Sequence, residues 1–180
     1  LLSVRYYGVY LIKMNYKLLA LGGDGIGPEV LESGLSILEA ISKKNNLNFE
    51  ISFDLIGGAC WDKYGTFCRN STIEKAIESD AILVGAVGGH KWDAMKIKGD
   101  PEEQDGLMCL RKKLGAFFGI RPAKNYKSLQ NIIPFNKEYV QNSEIIILRE
   151  MCGGVMFSKP RGLKFLENDE RYGFDTAGYN

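Results

Sequence analysis

Three arginines carry the chemistry most readily read from this chain: Arg111, Arg121 and Arg149. A guanidinium fork holds a carboxylate through two parallel hydrogen bonds, which an ammonium group does less well. Arg111 lies in Leu107-Met-Cys-Leu-Arg-Lys-Lys113, and Arg121 lies in Gly119-Ile-Arg-Pro-Ala-Lys124. Arg149 closes the apolar run Ile145-Ile-Ile-Leu just before Gly153-Gly154. Converging on one cleft, they would suit a dicarboxylate. Read singly, each is also an ordinary surface or structural arginine. Arg121 and Arg149, however, terminate apolar runs and precede proline or paired glycines, where a strand end opens onto a cleft.

Two glycine stretches come next. Gly22-Gly-Asp-Gly-Ile-Gly-Pro-Glu29 can offer backbone N–H groups to an anion. Its glycines are spaced G-x-G-x-G, which is neither the dinucleotide fingerprint nor a P-loop. A tight turn needing positive φ is the plainer account. Gly85-Ala-Val-Gly-Gly-His-Lys-Trp-Asp93 follows an apolar run and lets a ligand approach the backbone at a strand's carboxyl end. Here Lys91 is an expected anion contact, Trp92 an expected surface anchor, and His90 an exposed loop residue rather than a base.

The elements that must position these residues follow from periodicity. Lys17 to Leu21 predicts a buried strand. Pro28 and Glu29 open a helix that continues through Val30, Leu31, Leu35, Leu38 and Ile41 and fades at residues 43–46. Phe49 to Ile56 alternates as a strand does. Thr72 to Ser79 predicts a short helix capped by Ser71, and Ala81 to Val87 another strand. Gly106 to Phe118 reads as a helix, Asn125 to Gln141 as polar and turn-rich, and Glu144 to Leu148 as a strand. The alternation predicts an α/β layer fold with parallel strands, and a domain crossover is expected near Gly119 to Lys124.

The chain has 180 residues, with 23 basic against 22 acidic side chains. That near-balance leaves no field to attract nucleic acid or an acidic membrane surface, so a small molecule or another subunit is the expected partner. Cys60, Cys68, Cys109 and Cys152 form no CxxC pair, and the single histidine, His90, is near none of them in sequence. Idle thiols in a reducing cytoplasm are expected, not a zinc site. Leu1 to Lys13 is too short to span a bilayer. Met14 is read as the natural start, with a degenerate targeting segment as the alternative.

Taken in order, Gly-Asp-Gly-Ile-Gly-Pro-Glu, Gly-Gly-x-Lys-Trp-Asp, Leu-Met-x-Leu-Arg-Lys, Arg-Pro-Ala-Lys, Arg-Glu-x-x-Gly-Gly and Lys-Pro-Arg-Gly are similar to the motifs of the 3-isopropylmalate dehydrogenases. These belong with the isocitrate and homoisocitrate enzymes among the β-decarboxylating dehydrogenases. The resemblance runs from about Tyr16 to the last residue. It implies an α/β, two-domain fold distinct from the Rossmann fold and incomplete in this chain. Residues 1–14 would be an extension, 15–118 part of the first domain, and 119–180 the start of the second, substrate and dimerisation domain.

The resemblance also implies roles. Arg111, Arg121 and Arg149 would clamp the malate carboxylates, and Leu107 and Met108 would line an isopropyl pocket. Gly88, Gly89, His90, Lys91, Trp92, Asp93 and Pro101 would lie beside the nicotinamide half of NAD. Glu103 would touch its ribose, with Gln104 as the alternative. A Mg2+ or Mn2+ ion is implied, but the family's metal-holding aspartates and general-base lysine fall beyond Asn180. The implied assembly is a cytoplasmic homodimer of the leucine pathway. One departure stands out: Met156 occupies the place of a family tyrosine. A homoisocitrate-type enzyme and a catalytically inactive relative are the competing readings, and the 180 residues alone are expected to be inactive.

Overall fold

The computed structural model describes residues 5–6, 9–10, 15–93, 95, 105–140, 143–155, 157–165 and 170–179, with backbone alone at 5–6, 9–10 and 137. The chain divides into two units, residues 1–114 and 115–180.

The first unit begins with a short antiparallel pair, β1 (Arg5–Tyr6) and β2 (Val9–Tyr10). Its body is a three-stranded parallel sheet in the order β4-β3-β5. Strand β3 (Asn15–Gly23) lies in the middle, so Leu18, Leu19, Ala20 and Leu21 are buried on both faces, and the strand reads as a continuous apolar run. β4 (Asn48–Asp54) flanks it with Leu18 opposite Ile51. β5 (Ala81–Ala86) flanks the other side with Leu19 opposite Ile82 and Leu21 opposite Val84.

Helix α1 (Gly27–Asn45) connects β3 to β4. It starts with proline in the first turn and Glu29 at the positive end of its dipole, carries Lys43 and Lys44 in the last turn, and stops where Asn46 turns left-handed at φ 52°. It packs on β3 and β5. Of the five apolar positions expected to face inward, only Leu31 is buried, while Val30 and Ile41 are exposed. The helix is about 28 Å long against about 20 Å for the six-residue β5, so its later turns overrun the strand.

Between β4 and β5 stand α2 (Gly58–Tyr64) and α3 (Asn70–Glu78). Ser71 does not cap α3. It lies inside the first turn, and Arg69 holds the cap position with no side-chain bond. α4 (His90–Asp93) is one turn of helix where a loop was expected. α5 (Gly106–Lys113) ends sooner than its apolar pattern suggested: Leu114 caps it, Gly115 turns at φ +62°, and Phe118 already belongs to a strand. Leu19, Leu21, Ile56, Ile73, Ala76 and Leu110 form the core.

The second unit holds two antiparallel ribbons. β6 (Phe118–Lys124) pairs with β7 (Glu144–Glu150), and β8 (Gly162–Phe165) pairs with β9 (Arg171–Phe174). The polar stretch between β6 and β7 contains a 3-10 turn (Lys127–Leu129) and the one-turn α6 (Lys137–Val140). Beyond β7 the chain is turned by the Glu150 carboxylate, which accepts the N–H groups of Cys152 at 2.8 Å and Gly153 at 2.7 Å.

Candidate functional site

The carboxyl ends of β3, β4 and β5 meet at one buried side chain, Asp24, which is 4% exposed. Its Oδ2 accepts the N–H of Gly58 at 2.8 Å and of Gly88 at 2.9 Å, and its Oδ1 accepts the N–H of Ala59 at 2.7 Å. The Asp24 backbone N–H also donates to the Ala86 carbonyl at 2.7 Å. The turn, the start of α2 and the glycine loop after β5 are thus tied to one residue. The glycines permit this approach: a Cβ on Gly85 would lie 2.1 Å from the Gly27 carbonyl oxygen, and Gly23 sits at φ +76° with Ala86 O where its Cβ would be.

Above these ends is a cavity of about 130 Å³ lined by Asp24, Gly58, Phe67, Gly88, Trp92 and Asp105, among others. Two expectations change here. Trp92 is half-buried and lies over Gly58, where any Cβ would strike its ring, so it is a wall of the cavity and not a surface anchor. Lys91, expected to meet an anion, instead pairs with Asp62 at 2.6 Å, and the Trp92 indole N–H donates to the same carboxylate at 3.2 Å. The Lys91 and Trp92 hydrogen bonds hold the Asp62 carboxyl below its ordinary range. Gly88 and Asp93 line the cavity, Gly89 lies against the Trp92 ring, and His90 is exposed. Pro101, Glu103, Gln104 and Met156 lie outside the described residues.

A second hollow, about 350 Å³, lies beside β5. Ile82, Val84, Gly85, Leu107, Arg111 and Leu114 are among its lining residues. Leu107 and Arg111 are four residues apart and share one helical face. Asp105 fixes this helix, since its Oδ1 accepts the N–H groups of Leu107 at 2.7 Å and Met108 at 3.0 Å. Met108 is half-buried on the same helix but does not line the hollow as Leu107 does.

Arg121 and Arg149 belong to the second unit. Arg121 pairs with Ile147 and Arg149 with Gly119, so the two guanidinium side chains project from one face of the ribbon as diagonal neighbours. Both are exposed, and Arg121 sits inside β6 rather than at its end, because β6 runs on through Pro122 to Lys124. That an edge strand accommodates a proline is the physical reason the run did not stop there.

All four cysteines are free thiols. Burial pushes the Cys60 thiol up. Burial, with Cys109 beside it, pushes Cys68 up to about 12, far from the thiolate a nucleophile needs. Among the described residues no group of three or more His, Cys, Asp or Glu side chains could hold a metal ion, and no helix is long and apolar enough to cross a membrane.

Sequence reasoning passed over Asp24 and Asp62. Asp24 was in view inside the glycine stretch, but only the glycines were weighed. A carboxylate flanked by four glycines, ahead of a proline-led helix, is a signal for a backbone-binding side chain.

A parallel sheet with its glycine loops gathered at the strand carboxyl ends defines an α/β protein with a candidate ligand site at those ends. The chain belongs to the isocitrate/isopropylmalate dehydrogenase family, whose sequence pattern matches residues 17–180. It is 42% identical over 167 residues to the 3-isopropylmalate dehydrogenase of Hydrogenovibrio crunogenus and 43% identical to that of Pseudomonas fluorescens, in each case covering 93% of this chain and 46% of the relative. The chain therefore spans less than half the length of these relatives. In fold it is similar to the isocitrate dehydrogenase of Methylococcus capsulatus, with a TM-score of 0.68 at 17% identity over 92% of this chain and 43% of that one. A β-decarboxylating dehydrogenase of Thermococcus kodakarensis gives 0.59 at 22% identity, covering 91% of this chain and 41% of that one. The family expected from the six motifs is the family found.

Proposed function

We propose that the protein oxidises and decarboxylates 3-isopropylmalate to 4-methyl-2-oxopentanoate, a step of leucine biosynthesis, as a cytoplasmic homodimer. When bound, NAD would supply the acceptor for the hydride that leaves the substrate's C2 carbon as the C2 hydroxyl gives up its proton. The observation that carries the substrate assignment is the hollow beside β5, where Leu107 and Arg111 face the same space. An arginine holds one carboxylate there, while the apolar wall favours an isopropyl group and disfavours a third carboxylate, whose burial would be unpaired. Arg121 and Arg149 are assigned to the other carboxylate by resemblance alone. Gly88, Gly89 and the residues to Asp93 support the nicotinamide side of NAD, with Pro101 and Glu103 assigned there by resemblance alone. The described residues do not make a resident Mg2+ or Mn2+ site on their own.

The test is NADH formation by the full-length gene product with 3-isopropylmalate, isocitrate and homoisocitrate. Turnover of isopropylmalate at least tenfold above the others is expected, and a preference for either tricarboxylate would overturn the assignment. Leu107→Arg should erode that preference. Binding of NAD and isopropylmalate without turnover would instead favour a catalytically inactive relative.

A further inference from the structure

We propose that Asp24 is a positioning residue for the dinucleotide site, clasping the β5–α4 glycine loop to the start of α2. The inference rests on the reading of residues 88–93 as the nicotinamide side of the site. Three backbone N–H groups from two separate segments, the first turn of α2 and the loop after β5, converge on this one carboxylate: Gly58, Ala59 and Gly88. Gly88 itself has φ +110°, a conformation that an L side chain rarely adopts, so local preference does not fix it. The bond to Asp24 does. On the far side of the loop, Trp92 packs over Gly58 and bonds Asp62, so the same two elements are joined twice, with the cavity between the joints.

A carboxylate can serve this purpose and an amide cannot. An asparagine in place of Asp24 would offer one oxygen, enough for either Gly58 and Gly88 or Ala59, and would turn its NH2 against a remaining N–H. The loop would be displaced without loss of the sheet beneath it, because β3 and β5 are held by their own ladder. Misplacement at a hydride-transfer site acts on dinucleotide binding and on rate together, whereas the Leu107–Arg111 hollow is fixed separately by Asp105.

The experiment compares Asp24→Asn with Asp54→Asn in the full-length protein by amide hydrogen exchange and steady-state kinetics. Asp54 is a similarly buried carboxylate that binds Arg69, Lys75 and the neighbouring Leu55 N–H, and none of the Gly58, Ala59 and Gly88 amides. In Asp24→Asn, exchange at Gly58, Ala59 and Gly88 should rise together. The KM for NAD should rise about tenfold and kcat should fall, with the KM for isopropylmalate within about twofold of the parent. Asp54→Asn should lower stability and leave both KM values in place. Unchanged exchange at Gly88 overturns the clasp. Opened amides with an unmoved KM for NAD overturn the positioning role while leaving the dehydrogenase assignment intact. A parent protein with no NAD-dependent turnover removes that assignment, and the positioning role with it.

Discussion

At the scale of single residues, buried carboxylates do most of the organising. Asp54 shows how the balance is struck. Burial pushes its carboxyl up, but hydrogen bonds from Lys75, the Leu55 N–H and Arg69 outweigh that and hold it below its ordinary value of 3.8. A depressed carboxylate contributes stability that is fully present above the unfolded value and is lost as pH falls through the folded one. Urea titrations from pH 7 to pH 2 should therefore show Asp54→Asn less stable than the parent by about 1–3 kcal/mol at neutral pH. The gap should begin to narrow below about pH 4 as pH falls toward the depressed folded value. A gap that does not narrow between pH 4 and pH 2 would contradict the linkage. Met156 raises a second question at this scale. By resemblance it stands where relatives carry a tyrosine, and a thioether cannot donate a proton. Met156→Tyr in the full-length protein is expected to raise kcat more than it changes KM, and an unchanged kcat would show that the position takes no part in proton transfer. Residue types alone disclosed the arginines. They did not disclose Lys91's commitment to Asp62, because an ion pair between positions 29 apart depends on the packing of α4 against α2.

At the scale of elements, more of the fold was legible. β3, β4, β5 and β7 lie where apolar runs and alternation put them, and β3 is continuously apolar because it is buried on both faces. The ends were harder to read. The α5 pattern Leu107, Leu110, Leu114, Phe118 continues past the helix, and only the left-handed turn at Gly115 stops it. The Asp105 cap that starts this helix was not anticipated either. Replacing it should matter in two ways: Asp105→Ala is expected to cost about 1 kcal/mol and to weaken isopropylmalate binding through Leu107 and Arg111. Denaturant midpoints and the KM for isopropylmalate would check this. An unchanged midpoint would mean that the cap is dispensable.

At the scale of the whole molecule, the second unit leaves its apolar surface bare. Phe118, Ile120, Ile146 and Leu148 are exposed on one face of the β6–β7 ribbon, and Ile145 and Ile147 on the face that carries Arg121 and Arg149. Two-stranded ribbons are marginal unless another surface covers them, and contiguous apolar area of this kind marks an interface. On the homodimer proposed above, a second copy is the expected cover. Leu148→Glu in the full-length protein should shift its sedimentation toward the monomer, and an unaltered dimer would place the contact elsewhere.

The strand order has a consequence for how the chain is made. β3 is the central strand of its sheet yet precedes both neighbours in the chain, which start at residues 48 and 81. On the ribosome, Leu19 and Leu21 must therefore wait, only partly covered, until residues 81–86 have emerged. Parallel pairing of this range is slow and exposes the nascent chain to misassociation. Synthesis rate and chaperone access over the stretch before Ala86 are thus expected to influence the yield of native protein.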